Sequence, residues 1–472
     1  MKYEVVMGLE VHVELATASK LFCSCGAGFG AQPNEHVCPA CCGMPGLLPV
    51  LNKKAVELGI AAALVTGSSI TPVMRFDKKN YYYPDLPTGY QITQFFAPIC
   101  TDGHVDIEAD AGAKRIRLKQ IHIEEDAGKL VHMGGASLVD YNRAGVPLAE
   151  IVSQPDFRSA DEVVAYLQKL RALLTFAGVS DCKMQEGSMR CDVNLSVRQV
   201  GSETLGTRTE MKNMNSLRAI ARAIEYETQR HIDALEYGTE ELVQETRRWD
   251  DNAGESFSMR GKEDATDYRY FPNSDIMPIR IDEEWVEKVR AALPESAEDK
   301  FARMTGELGI SAKDAGILTN SKALADIFDG LTGRDVPPRL ATAWIVTELL
   351  ALGSEENEDI EIDCAGFAGL IAMVSRKELS RAVAKKVLAL LYKENIDPVA
   401  YVKEHNLGLV SDSSFIEEAV AAVLARNADA CESFRAGNEK VLGFLMGQVM
   451  AATAGKADPG AVRALLRRSL ES

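Results

Sequence analysis

The sequence predicts an α+β fold: a mainly antiparallel sheet with a few helices to about residue 290, followed by helices alone. Three observations lead there. Several early stretches alternate apolar and polar residues at period two, the pattern of strands with one face on a core and one face open. From about Glu283 the apolar spacing turns helical. The chain has 472 residues, room for more than one domain at roughly 150 residues each.

The first strand spans Tyr3 to Leu15. Val5, Met7, Leu9, Val11, Val13 and Leu15 share one face; Glu10, His12 and Glu14 share the other. A strand-like run from Arg115 to Ile123 leads into Glu124, Glu125 and Asp126, and Glu150 ends another apolar segment. Ser159 and Glu162 predict a capping box for a helix with the stripe Val163, Leu167, Leu170, Leu174 and Ala177, stopped by Gly178. Met189 to Arg198 alternates again, with Arg190, Asp192, Asn194, Ser196 and Arg198 on the polar side. Thr207 to Asn213 puts Arg208, Glu210 and Lys212 on a common side. Ser216 opens a helix carrying Leu217, Ile220, Ile224 and His231. Residues 245 to 278 have no period and predict a long loop. Pro294, Pro337, Pro338 and the acidic stretch Glu355 to Asp363 predict breaks between the later helices, and a last helical segment follows Asn406.

Composition bounds the function. The chain is 46% hydrophobic and 26% charged, which excludes disordered and collagen-like classes. Lys plus Arg is 52 against 69 Asp plus Glu, a formal net charge of −17. Bulk charge therefore does not attract nucleic acid, DNA is not an expected partner, and only a local basic patch would serve. No apolar run reaches the ~18 to 20 residues of a membrane helix. Glu4, Glu10, His12 and Glu14 interrupt the stretch after Lys2, unlike a secretion signal. A reducing cytoplasm is expected for the ten Cys, so clustered Cys are read first as metal ligands.

Cys23-Ser24-Cys25 and Cys38-Pro39-Ala40-Cys41 each present two thiolates, a spacing that suits a structural zinc; buried free thiols are the alternative. Glu10, His12, the Glu124-Glu125-Asp126 run and Glu150 combine carboxylates with an imidazole, a donor set for Mg²⁺ or Mn²⁺ in phosphate chemistry. Each alone reads as surface charge; the repetition on successive strands is the signal. The loop from Lys78 to Gln91, with Lys79 and three consecutive tyrosines, suits a nucleotide or a tRNA end, or ordinary loop packing. Arg190, Arg208, Lys212, Arg260 and Lys262 are cations that would offset phosphate charge. There is no Gly-x-x-x-x-Gly-Lys-Ser/Thr loop, no Gly-x-Ser-x-Gly elbow and no Ser-Ser-Gly cluster of amidases. Any amide donor would be hydrolysed elsewhere.

Long motifs in order carry a resemblance: Gly8-Leu9-Glu10-Val11-His12, Tyr83-Pro84-Asp85-Leu86-Pro87, Ile121 to Lys129, Asp140 to Leu148, Gly187 to Asn194, Glu210-Met211-Lys212-Asn213 and Asp267 to Pro272. The sequence resembles the B subunits of bacterial aspartyl/glutamyl-tRNA amidotransferases, the GatB family, nearly end to end. The resemblance implies a cradle domain with a zinc-knuckle-like insertion over 1–292, a helical domain over 293–405 and a YqeY-like, tRNA-binding tail over 406–472. It implies a ligase that uses ATP to activate the side-chain carboxylate of Glu-tRNA(Gln) or Asp-tRNA(Asn). Ammonia would come from an amidase-like A subunit, with a small C subunit completing the complex. By motif, Glu10, His12, Glu125 and Glu150 fall at the metal and ammonia-gate end. Lys79, Arg190, Asp192, Glu210 and Lys212 fall at the phosphoryl and substrate end. Cys42, Asn273-Ser274 and Ala451 depart from the family pattern. A scaffold that only binds tRNA is the competing reading, and retention of the whole polar set favours the enzyme.

Overall fold

In the computed structural model the Tyr3–Glu14 strand runs through the middle of a ten-stranded sheet. Residues 2–261, 267–353, 360–409, 413–435, 438–453 and 457–471 are described. One neighbour of the first strand is Met189–Gln199, followed outward by Thr209–Lys212, Glu245–Asp250 and Glu255–Gly261. Its other neighbour is Pro147–Ser153, followed by Gly112–Glu125, Cys100–Thr101 and Ser69–Ile70. The alternation of the first strand is realised as read: Met7, Leu9, Val11 and Val13 are buried, while Glu10, His12 and Glu14 are half-buried on the other side.

Helices Lys53–Val65, Ala160–Phe176 and Leu217–Tyr237 contribute to the same apolar core as that sheet face. Gly59 allows a close approach of helix to sheet: a Cβ there would stand 2.7 Å from Ile99 Cδ1 and 2.9 Å from Ile123 Cδ1. Ser159 and Ser216 cap their helices by accepting from the Glu162 and Ala219 backbone N–H groups. The Glu162 carboxylate reaches one residue further back than in a capping box and accepts from the Arg158 N–H at 2.7 Å.

One expectation is refined and one is corrected. The sheet is mainly antiparallel, as expected, with one parallel pair, Thr209–Lys212 with Glu245–Asp250. A parallel pair needs a crossover, and Leu217–Tyr237 supplies it. Residues 245 to 278 are not one loop: Glu245–Asp250 and Glu255–Gly261 form the sheet edge, and Phe271–Pro272 pairs with Asp77–Asn80. On the core side these strands offer Trp249 and the buried polar Ser256, while the buried Thr246 lies on the opposite, polar face, so no apolar period is left to read. A β-bulge between Thr246 and Arg247 breaks the alternation further.

Compact packing divides the chain into Met1–Ala297 and Glu298–Ser472. The second unit is helical throughout its described residues. One of its apolar clusters draws on Met304 to Val402, the other on Ile416 to Leu470. Pro337 and Pro338 begin a helix, as expected of the first turn. Most of the acidic stretch Glu355 to Asp363 lies outside the described residues; Asp363 caps Cys364–Ser375. Among the described residues no helix is long and apolar enough to cross a membrane.

Candidate active site

Strand register sets up the site. Across four adjacent strands His122, Glu150, His12 and Arg190 stand in line. Two residues along, Glu10 faces Asp192, and Glu210 lies on the next strand opposite Asn194. The polar side of the alternation thus becomes one continuous ionisable surface.

Two groups of possible ligands form on it, each with its donor atoms within 4.8 Å of one another: His12, Glu124 and Glu150, and Glu10, Asp192 and Glu210. His12 Nε2 is 3.6 Å from Glu124 Oε1 and 3.5 Å from Glu150 Oε2. His122 Nε2 is 3.1 Å from the same Glu150 oxygen. Thr93 Oγ1 donates to Glu124 Oε2 at 2.9 Å and lies 3.1 Å from His122 Nδ1. In the second group Asn194 Nδ2 donates to Glu10 Oε1 at 3.1 Å. Thr246 Oγ1 donates to Glu210 Oε2 at 2.8 Å. Lys212 pairs with Asp192 and, at 2.9 Å, with Glu210.

The electrostatics follow from crowding. Burial alone would lower the His12 imidazole, but hydrogen bonding and charge from Glu150, with Glu124 behind it, raise it to about 9. Burial opposes ionisation of Glu150, yet the two histidines hold its carboxyl well below the ordinary value. Glu10 is pushed up, first by burial and then by the charges of Glu150 and Glu210. Carboxylates so crowded that one resists ionising fit a divalent cation, which would relieve the repulsion.

Cations border the carboxylates. Arg190 Nη2 donates to Asp126 Oδ2 at 2.7 Å, while its buried Nε has no hydrogen-bond partner among the described residues. Lys79 has no ion-pair partner among the described residues; its amine lies 5.0 Å from the Tyr268 ring centre and 5.6 Å from that of Tyr81. Tyr270 stacks on Phe95 at 4.2 Å. Arg208 precedes the Thr209–Lys212 strand. Lys262 and the Arg260 side chain lie outside the described residues.

Glu125 is not brought to the His12 group. Its Oε1 accepts from the Ile92 N–H at 2.8 Å, and burial, its largest perturbation, raises it to about 7. It lines a cavity of about 240 Å³ together with Lys20, Cys41, Leu86 and Tyr90. The reason is a parity change in Gly112–Glu125. Ile116 and Leu118 face the core, and so do Ile121 and Ile123. The register shift opposite Val152 and Ser153 absorbs the extra residue. Unbroken alternation from Ile116 would have opened Glu125 to the polar face; the shift opens His122 and Glu124 instead. Sequence reading gives no role to His122 or Thr93. For His122 and Glu124 the available signal was the spacing of Ile121 and Ile123.

Cys23, Cys25, Cys38 and Cys41 also gather with their sulfurs within 4.8 Å of one another. Four ligands at about 2.3 Å from one zinc ion require sulfurs about 3.8 Å apart, so the set fits. Asn34, at φ 61°, ties this insertion to the rest of the unit. Its amide donates to the Val139 carbonyl at 2.9 Å, and its carbonyl accepts from the Tyr141 N–H at 2.8 Å.

The family model of the GatB/GatE catalytic domain matches residues 5–287, and a second model, described as a GatB domain, matches residues 326–470. The chain is 51% identical over 473 residues to the B subunit of the aspartyl/glutamyl-tRNA(Asn/Gln) amidotransferase of Lachnoclostridium phytofermentans, covering 99% of both chains. It is 50% identical over 481 residues to the protein of that name from Lachnospira eligens, covering 99% of both. With that of Caldicellulosiruptor bescii it shares 50% identity over 479 residues and the full length of both.

Proposed function

This chain belongs to the family of the GatB/GatE catalytic domain, and we propose that within a tRNA-dependent amidotransferase its polar sheet face carries out ATP-dependent carboxylate activation. The relatives named above act on aspartyl- and glutamyl-tRNA; the corresponding substrates here are Glu-tRNA(Gln) and Asp-tRNA(Asn). A side-chain carboxylate oxygen attacks the γ-phosphorus of ATP, the bond to ADP breaks, and an acyl phosphate forms. Ammonia then attacks the activated carbonyl carbon, phosphate leaves with the bonding electron pair, and a proton is lost from nitrogen.

The observation that carries this reading is the gathering of both acidic groups with Arg190 and Lys212 on one open sheet face. Two anions must meet in the first step, and their repulsion is the main barrier that the site must offset. A divalent cation, Mg²⁺ or Mn²⁺, would supply charge neutralisation; His12, Glu124 and Glu150, or Glu10, Asp192 and Glu210, would hold it. Lys79, Arg190 and Lys212 orient the phosphates, the last two by exchanging carboxylate partners for phosphate oxygens. Glu125 stays with the cavity at the ammonia end. Ammonia is supplied by an amidase-like A subunit, with a small C subunit in the assembly, because this chain carries no amide-hydrolysing motif.

The four cysteines hold a structural zinc, with no open coordination position for chemistry. Residues 1–292 form the catalytic cradle, 293–405 a helical domain, and 406–472 a tail that grips the tRNA body through Lys440, Arg463, Arg467 and Arg468. Lys456 lies outside the described residues.

The test is amidation of misacylated tRNA by the reconstituted complex with free ammonium as donor. Glu150→Gln removes the charge held between His12 and His122. It is expected to lower this reaction by about 10²-fold or more while the partner's glutaminase persists. An ammonium-driven rate equal to wild type would refute the assignment.

A further inference from the structure

Lys20 is fully buried. Taking an ammonium out of water is expensive unless an anion and hydrogen-bond acceptors replace the solvent. Among the described residues no carboxylate lies within ion-pair distance of it. Its Nζ has two partners: the Tyr141 carbonyl oxygen at 2.9 Å and Cys41 Sγ at 3.6 Å. A carbonyl supplies no charge. Glu125 lines the same cavity, but burial pushes its carboxyl up to about 7 although Lys20 favours its ionisation, and it lies beyond ion-pair distance. The anionic partner in direct contact is therefore sulfur. Four neutral thiols would not balance a buried cation. A divalent ion with four thiolates leaves net negative charge on the sulfurs, and that charge does.

We propose that Lys20 is the buried counter-cation of a metal-loaded Cys23, Cys25, Cys38 and Cys41 site, holding metal affinity through its contact with Cys41. The inference rests on the zinc reading above and adds to it a positioning residue outside the ligand set. A second donor reaches the same sulfur: the Cys38 backbone N–H, at 3.2 Å from Cys41 Sγ. Cys41 is thus the thiolate whose electron density is drawn off most, by one backbone dipole and one full charge. Placement is enforced from behind. Gly145, at φ +85°, lies against the Lys20 stem: a Cβ there would stand 3.5 Å from Lys20 Cδ. The Leu21 N–H donates to the Gly145 carbonyl at 2.8 Å. The stem therefore lies along the Gly145 backbone and aims the ammonium at the cysteine loop.

The experiment uses the full chain. Zinc affinity is measured by competition with a chromogenic chelator for wild type and Lys20→Met, which keeps the apolar stem and removes the charge. The variant is expected to bind zinc roughly 10- to 100-fold more weakly, the range for partners just outside a ligand shell. Loaded with cobalt, it is expected to shift the sulfur-to-metal charge-transfer band to longer wavelength, since sulfur regains electron density. Equal affinity together with an unchanged band would overturn the proposal, and failure of wild type to bind zinc would overturn it together with the zinc reading. If Lys20→Met does not fold, wild type supplies the answer. Amine-reactive labelling read by peptide mass spectrometry should leave Lys20 unmodified in loaded protein and modify it once a chelator removes the metal. Equal protection in folded, metal-free protein would overturn the proposal.

Discussion

Between His12 and His122, the Glu150 carboxylate keeps its charge where burial opposes it, and its register position makes that possible: each histidine stands directly across from it on a neighbouring strand. Glu124 completes the group by accepting from Thr93 and approaching His12. Glu125, one residue on, faces away. Glu124→Gln is therefore expected to raise the Mg²⁺ or Mn²⁺ concentration needed for half-maximal ammonium-driven amidation by roughly 10- to 100-fold. Glu125→Gln should leave that concentration unchanged, because its buried carboxyl, at about 7, stands apart from the His12, Glu124 and Glu150 group. A metal titration showing the opposite pattern would return Glu125 to the group. The placement of Glu10, His12, Asp192 and Glu210 on this face was legible because each occupies the polar phase of an alternating segment, and Glu150 because it ends an apolar one. The choice of Glu124 over Glu125 was not, because one irregular pairing exchanged the phase of their strand, and a single sequence does not mark where pairing slips.

At the scale of elements, the helix Leu217–Tyr237 is fastened to the sheet edge by charge as well as by apolar contact. Glu227 is fully buried; it accepts from Ser256 Oγ at 2.8 Å and from Arg230, and lies 3.3 Å from His231 Nε2. Burial opposes its ionisation, yet hydrogen bonds from His231, Arg230 and Ser256 hold it down at about 2. Glu227→Gln leaves Arg230 and Arg247 with less compensation and is expected to destabilise the first unit by about 3–5 kcal/mol at neutral pH in urea unfolding. A carboxyl depressed in the folded state contributes its full stability above its ordinary value of 4.5 and loses it as pH falls toward about 2. The gap between wild type and variant should therefore be constant from pH 7 to 5 and narrow below about 4.5. A gap that widened on acidification would contradict this. This network helps explain why the edge strands escaped sequence reading: they are anchored by Ser256 and Arg247, and on the other face by Thr246, rather than by an apolar stripe. The helices, with Ser159 and Ser216 at their caps, were legible because their signals are local.

On the scale of the whole molecule, the acidic chain gathers its candidate site on one sheet face in the first unit and gives the second unit over to helices. A negative net charge makes an anionic substrate costly to approach, so the few cations at the site matter more than their number suggests. The central claim is that this face makes an acyl phosphate on the substrate carboxylate before any amide donor takes part. The reconstituted complex, given misacylated tRNA, ATP and hydroxylamine but neither glutamine nor ammonium, tests it most directly. Hydroxylamine captures an activated carboxyl as a hydroxamate that mass spectrometry detects on the aminoacyl group. Wild type should accumulate the side-chain hydroxamate with matching ADP release, and Glu150→Gln should form neither. Hydroxamate formed by the variant at the wild-type rate, or none formed by wild type while amidation proceeds, would contradict it.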